Sequence, residues 1–142
     1  MTEEDARRLA AAAYNTCWDL LEQAPGDARD RDLVASAFAS RLHWSGVGGP
    51  QEFAVADWMV SRACAATGNP RLALLYAEAA LAQAEEGFPH WLKASLNEGL
   101  ARAQKSAGLS SEAAIAAAHY ELALETDEED ATFIRSQLAE LT

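Results

Sequence analysis

Hydrophobic positions recur every three to four residues along most of the chain, which is the spacing of an α-helix. A clear example is the stretch from residue 30 to residue 44, where Leu33, Ala37, Phe38 and Leu42 are expected on one buried side. The composition agrees, because the 33 alanines and 17 leucines favour helix over strand. The pattern therefore predicts an all-α protein.

Proline, glycine and capping residues divide this pattern into about seven helices. Thr2 and Thr126 stand where helices begin, each followed by an acid at capping-box spacing. The short connections force neighbouring helices to be antiparallel. We expect a single domain over residues 1–142, with helical hairpins at about 3–44, 51–87 and 90–125 and a C-terminal capping helix at about 127–141.

An internal repeat relates the last two hairpins. Shifting the chain by 40 residues superimposes three pairs that are not alanines, namely Gly68 with Gly108, Arg62 with Arg102, and Glu85 with Glu125. Each glycine stands at the turn of its hairpin, where a left-handed helix cap is easiest for a residue without a Cβ. The repeat predicts two similar hairpins, and residues 1–44 form a third, more diverged one.

These units resemble the tetratricopeptide repeat family. The small and large residues of its pattern fall on Val60-Ser61, Gly68, Ala73, Ala77 and Ala80 in one unit and on Leu100-Ala101, Gly108, Ala113, Ala117 and Tyr120 in the next. The period is longer than the family's, and Asp57 and Asn97 stand at its tryptophan-like first position. The stretch from Ser40 to Arg62 also resembles bacterial helical-repeat proteins. The resemblance implies a right-handed stack of hairpins whose first helices line a concave, peptide-binding groove.

In such a groove the exposed positions would be Trp58, Arg62, Glu98, Arg102 and Lys105. Arg62 follows Trp58 by four residues, so its guanidinium can lie over that indole, and Arg102 follows Glu98 in the same way. An aromatic anchor with several cations suits an acidic or carboxylate-ended peptide. The alternative is that the arginines make only structural ion pairs between helices.

A second candidate binding cluster precedes the glycine-rich loop and consists of Arg41, His43 and Trp44. Such residues beside a loop can form the rim of a small-ligand or enzyme site. Alternatively, Trp44 covers the core while Arg41 and His43 interact with the negative end of their own helix.

Charge narrows the range of partners. The formal net charge is −11, which opposes binding to nucleic acid or to an anionic membrane surface. No apolar run is long enough to span a bilayer, and the acidic start does not match a secretory signal. With only two cysteines, which suit a reducing compartment, the chain is expected in the cytoplasm.

No catalytic, metal-binding or cofactor motif is recognisable. Cys17 and Cys64 lie on apolar helix stretches typical of core residues, and no nucleophile motif or phosphate loop occurs. We therefore expect a non-catalytic protein–protein interaction module without metal or cofactor. Two alternatives stay open: a self-associating homodimer, and a small-ligand sensor or enzyme using the second cluster. The last helix either caps the stack or exchanges with a partner chain.

Overall fold

The computed structural model describes residues 1–142 as seven α-helices and no strand. In chain order they are α1 (Glu3–Leu21), α2 (Asp27–Ser45), α3 (Pro50–Ala66), α4 (Pro70–Ala82), α5 (His90–Ser106), α6 (Glu112–Leu122) and α7 (Glu128–Ala139). The prediction of an all-α chain of about seven helices is confirmed. None of these helices combines the length and apolar character needed to cross a membrane.

The helix starts follow from local hydrogen bonds. Thr2 Oγ1 accepts the Asp5 N–H at 3.1 Å while the Asp5 carboxylate accepts the Thr2 N–H at 3.3 Å, so the first capping box is confirmed. At α7 the capping residue is Asp127, whose Oδ1 accepts the Asp130 N–H at 3.0 Å. The expectation that Thr126 caps this helix is wrong by one residue.

Two boundaries differ from expectation for physical reasons. Helix α2 begins at Asp27 rather than Asp30, directly after Gly26. Helix α4 ends at Ala82, well before Gly87, and the chain then turns so that Phe88 is buried in the core ahead of Pro89. Burial of an aromatic ring outweighs the continuation of the helix, and a residue before proline disfavours helical geometry.

The buried side of α2 is also rotated from the predicted one. Leu42 is 70% exposed, and the expectation that it faces the core is wrong. Ser40 is buried instead, and its Oγ donates to the Ala10 carbonyl of α1 at 2.9 Å. A small residue with a satisfied hydroxyl lets α1 and α2 approach closely, which turns Leu42 outward.

The helices pack in a regular order. Consecutive helices contact each other as the pairs α1–α2, α3–α4 and α5–α6, and the odd-numbered helices contact one another in sequence, α1 with α3, α3 with α5, and α5 with α7. One buried cluster spans α1 to α5, and a second joins α5, α6 and α7. Helix α5 belongs to both clusters and therefore connects the two halves of the core.

Two glycine turns set the repeat. Gly68 and Gly108 have φ values of 78° and 73°, and they are the two residues of the chain in the left-handed region. The expected left-handed caps at both positions are confirmed. Within the α3–α4 hairpin, the buried Ser61 Oγ donates to the Ala73 carbonyl at 2.7 Å, which joins the two helices at a small-residue position.

Replacing Gly68 or Gly108 with alanine should lower the free energy of unfolding by about 1 kcal/mol each, because a Cβ is strained in the left-handed region. Gly46→Ala is the matched control, since Gly46 has a φ of −94° and open space where a Cβ would lie. Thermal unfolding followed by circular dichroism measures the difference. Equal melting temperatures for all three variants would contradict the assignment of these turns.

Candidate functional site

All four tryptophans of the chain line one cleft of about 520 Å³. The cleft is formed mainly by the odd-numbered helices, and its lining residues are Ala11, Tyr14, Asn15, Trp18, Trp44, Gln51, Glu52, Val55, Trp58, Trp91, Leu92, Ser95, Asp130, Phe133 and Ile134. We refer to it below as the tryptophan cleft. Most of its lining is apolar, and the few polar groups stand among aromatic rings.

Helical spacing explains why these residues meet. Tyr14 and Trp18 are four residues apart on α1, and Trp91 and Ser95 are four apart on α5. Residues at this spacing share a helix face, and the odd-numbered helices turn those faces towards each other. This arrangement was not predicted, because the signal in each helix is only a pair of residues and their convergence depends on tertiary packing.

Trp18 is the centre of the aromatic packing. Its ring centroid lies 5.8 Å from that of Trp58, 5.7 Å from that of Phe133 and 6.4 Å from that of Tyr14. These are favourable tilted and edge-on distances. Residues of α1, α3 and α7 therefore form one continuous aromatic wall.

Trp58 forms the floor of the cleft and is only 7% exposed. A Cβ on Gly99 of α5 would overlap the indole and lie 2.8 Å from its Nε1. This Nε1 is buried and has no hydrogen-bond partner. The nitrogen edge of Trp58 is thus directed at α5, and only a glycine at position 99 permits the approach.

A buried ion-pair network lies beside the aromatic wall. Glu98 is 1% exposed, and its Oε1 is 2.7 Å from Arg102 Nη2 and 3.7 Å from Arg62 Nη1. Glu140 is a further partner, with its Oε1 3.2 Å from Arg102 Nη1 and 4.0 Å from Arg62 Nη2. Side chains of α3 and α5 are therefore connected to the end of α7.

The structure corrects two expectations about these residues. Trp58, Arg62 and Glu98 are buried, so the expectation that they are exposed along an open groove is wrong. The Arg62 guanidinium lies over Trp18, 4.9 Å from the ring centroid, and not over the Trp58 indole. Burial is the largest cause that lowers the pKa of Arg62 from its usual value, and the positive charge of the nearby Arg102 lowers it further.

Arg102 and Lys105 face the C-terminal segment. Arg102 Nη2 donates to the Gln137 carbonyl at 3.2 Å, and Lys105 Nζ donates to the Leu141 carbonyl at 3.0 Å. Together with Arg62 they line a separate cavity of about 380 Å³, which Trp58 does not line. Of the five residues predicted as one binding surface, Trp58 lines the tryptophan cleft, Arg62, Arg102 and Lys105 line this basic cavity, and Glu98 lines neither.

The second predicted cluster is also divided. Arg41 Nε donates to Asp57 Oδ1 at 2.7 Å, and Gln83 Nε2 donates to Asp57 Oδ2 at 2.9 Å. The hydrogen bond to Asp57 raises the pKa of the Arg41 guanidinium. Trp44 lines the tryptophan cleft, while His43 is half-buried between these two positions on α2. The structure gives these residues different neighbours.

The charged residues lining the tryptophan cleft are both acidic. Glu52 Oε1 is 3.8 Å from Arg7 Nη1, a half-exposed and therefore weak pair. The pKa of Asp130 is raised above its usual value. Partial desolvation is the largest cause, and the negative charges of Asp127, Glu125 and Glu129 add to it. The charged lining residues of the cleft are therefore carboxylates, of which Glu52 is weakly paired with Arg7 and Asp130 is paired with no cation of the chain.

Trp91 is positioned by an acid from the loop after α6. Glu125 Oε2 accepts the backbone N–H of Trp91 at 2.7 Å. Glu125 Oε1 accepts the backbone N–H groups of Thr126 and Asp127 at 2.9 and 3.0 Å. These backbone hydrogen bonds lower the pKa of Glu125, and the bond from Asp127 has the largest effect. The first turn of α5 is thereby fixed relative to the start of α7.

The two thiols lie in the core, as predicted, and not in the cleft. Burial raises the pKa of Cys17 to about 12 and also raises the pKa of Cys64. A thiol with a raised pKa is a poor nucleophile at neutral pH. No group of three or more His, Cys, Asp or Glu side chains is arranged to hold a metal ion.

Comparisons with protein-family models, curated proteins and solved structures find no significant match to this chain. Its function has to be inferred from the geometry of the site.

The ion-pair network yields a matched test. Glu98→Gln should lower the free energy of unfolding by about 3 kcal/mol, because Arg62 then stays buried with only the half-exposed Glu140, 4.0 Å away, as its countercharge. Glu140→Gln makes the same change of charge at a half-exposed position and should cost less than about 1 kcal/mol. Urea unfolding measures both. Equal effects would show that Glu98 is not the buried centre of the network.

Gly99→Ala tests the close approach of Trp58. Alanine is a better helix former than glycine by about 1 kcal/mol, so helix propensity alone predicts stabilisation. Overlap with the indole predicts the opposite, a loss of about 1–3 kcal/mol together with altered near-ultraviolet circular dichroism from the displaced ring. Gly46→Ala is again the control. A more stable Gly99→Ala variant would refute the contact.

Proposed function

We propose that this protein is a non-catalytic protein–protein interaction module of the cytoplasm that binds a segment of a partner protein in the tryptophan cleft. The observation that carries the proposal is the convergence of all four tryptophans on one open cleft. The residues that dominate binding energy at protein interfaces are enriched in tryptophan, tyrosine and arginine, and large exposed apolar surfaces mark interaction sites.

A tetratricopeptide-like, right-handed stack of hairpins is part of the proposal. It is supported by the two left-handed glycines at the repeat distance and by the successive contacts among odd-numbered helices. In such a stack these helices line the concave side, so the tryptophan cleft that they form would open on that side. Helix α7 then acts as the capping helix, since Ile134, Leu138 and Leu141 cover the second core cluster.

Within this proposal the five predicted site residues have different roles. Trp58 is the floor of the binding cleft, whereas Arg62, Glu98, Arg102 and Lys105 hold α7 against α3 and α5. An acidic or carboxylate-ended ligand of the arginines would have to displace Glu140, which already pairs with both. The geometry therefore favours the structural alternative for the arginines and moves the ligand to the tryptophans.

Self-association is the second candidate, and one observation favours it. Phe133 is 48% exposed at the edge of the tryptophan cleft, so a second copy could cover the same surface. Light scattering separates the two functions. A monomer of 15.2 kDa at micromolar concentration supports an open cleft, and a stable dimer supports self-association.

Selection from a random peptide library displayed on phage tests the proposal. Peptides enriched on the wild-type protein should bind the Phe133→Ser variant about tenfold more weakly, the loss typical of one aromatic contact at an interface. Tyr120→Ser is the matched control, because Tyr120 is 68% exposed and does not line the cleft. Fluorescence anisotropy measures the affinities.

Both variants must first be shown by circular dichroism to be folded at the assay temperature, because loss of the Phe133 contact with Trp18 lowers stability. Enriched peptides that bind wild type, Phe133→Ser and Tyr120→Ser equally would locate the binding surface elsewhere. A monomer that enriches no peptide at all would contradict a peptide-binding function.

A further inference from the structure

The rings and charges of the tryptophan cleft specify the chemistry of its ligand. Six aromatic rings line it, and its charged lining residues are the two carboxylates of Glu52 and Asp130. No lysine or arginine is among the lining residues. Aromatic faces carry negative electrostatic potential and attract cations, and the carboxylates add to that attraction.

The chain already places guanidinium groups against two of these tryptophans. Arg7 lies 5.9 Å from the Trp44 ring centroid, beside Glu52, and Arg62 lies 4.9 Å from the centroid of Trp18, beside Glu98. In both cases one cation is held between an indole and a carboxylate. The cleft is also lined by an indole and a carboxylate to which the chain supplies no cation.

These two groups belong to Trp91 and Asp130. Trp18, Trp44 and Trp58 each have another aromatic ring or a guanidinium against them, whereas Trp91 has neither. Trp91 is half-buried, so part of its ring faces the cleft. Asp130 lines the same cleft, and its carboxylate is without a hydrogen-bond donor from the protein.

We propose that the tryptophan cleft binds a basic segment of a partner protein and that one arginine or lysine side chain lies on Trp91 between Asp130 and Glu52. This inference rests on the proposed function, because it names the chemistry of the segment bound in that cleft. The net charge of −11 would also speed the approach of a basic partner.

Other ligand chemistries fit less well. An anionic side chain would meet Asp130, which no cation of the chain pairs, and Glu52, which Arg7 pairs only weakly at 3.8 Å. A purely apolar segment would desolvate the unpaired Asp130 carboxylate without giving it a partner, which is unfavourable. A cationic side chain satisfies the carboxylates through its charged end and the rings through its hydrocarbon part and its charge.

The test uses capped hexapeptides of glycine and serine that carry one central arginine, lysine, norleucine or glutamate. The four indole N–H signals of the nitrogen-15-labelled protein report binding, since every tryptophan lines the cleft. The arginine and lysine peptides should bind at least about fivefold more tightly than the norleucine peptide, the ratio expected for a cation on a partly desolvated ring. The glutamate peptide should be the weakest, and added salt should weaken the cationic peptides.

Charge-neutral variants locate the contact. Asp130→Asn and Glu52→Gln should each weaken the arginine peptide about threefold or more and leave the norleucine peptide unchanged. Glu129→Gln removes the same charge next to Asp130, but at an exposed residue that does not line the cleft, and should have a smaller effect. Choline, measured in parallel, distinguishes a free ammonium ligand from a side chain, and tighter binding of choline than of the arginine peptide would overturn the peptide source.

The outcomes separate this inference from the proposed function. Equal binding of norleucine and arginine peptides, or preference for glutamate, would overturn the cationic ligand while leaving a peptide-binding cleft. Equal effects of Asp130→Asn and Glu129→Gln would refute the assigned position. If no hexapeptide shifts an indole signal and the phage selection enriches basic peptides that depend on Phe133, the cation does not lie on Trp91. If both experiments give no binding, the proposed function fails as well.

Discussion

Glu98 is buried where α3, α5 and α7 meet, and its single carboxylate holds together the helices that form the tryptophan cleft. It pairs with Arg102 on its own helix and with Arg62 of α3, while Arg62 lies over Trp18 of α1 and Arg102 donates to a carbonyl of α7. A buried carboxylate is unfavourable unless its charge is compensated. The positions of four helices are therefore coupled to one another through one charge.

The coupled helices determine the shape of the cleft, and the aromatic rings form most of its surface. Trp58 can approach α5 because Gly99 has no side chain, and Trp18 then packs between Trp58 and Phe133. The cations that would otherwise attract an acidic ligand are paired within the chain. What faces solvent in the cleft is thus a set of half-buried rings beside Glu52 and Asp130.

The sequence was sufficient for the helices but only partly for the site. Regular apolar spacing, Thr2 and the two turn glycines predicted the elements, because each signal is local. Leu42 was misjudged because a serine, Ser40, occupies the close contact between α1 and α2. Trp58 and Arg62 are predicted from the sequence as exposed groove residues, but their burial and the stacking of Arg62 on Trp18 depend on three helices at once. The roles of Trp91, Phe133 and Asp130 depend in the same way on how α5 and α7 pack.

Whether the tryptophan cleft is open is tested most directly by measuring which indole groups are exposed to solvent in the free protein. A soluble gadolinium complex should strongly enhance relaxation of the Trp44 and Trp91 indole N–H protons. It should leave that of Trp58 nearly unaffected, because its Nε1 is buried against α5. The sample should have the mass of a monomer. Protection of Trp44 and Trp91 to the same degree as Trp58, or a dimer in which they are covered, would contradict an open cleft prepared for a partner.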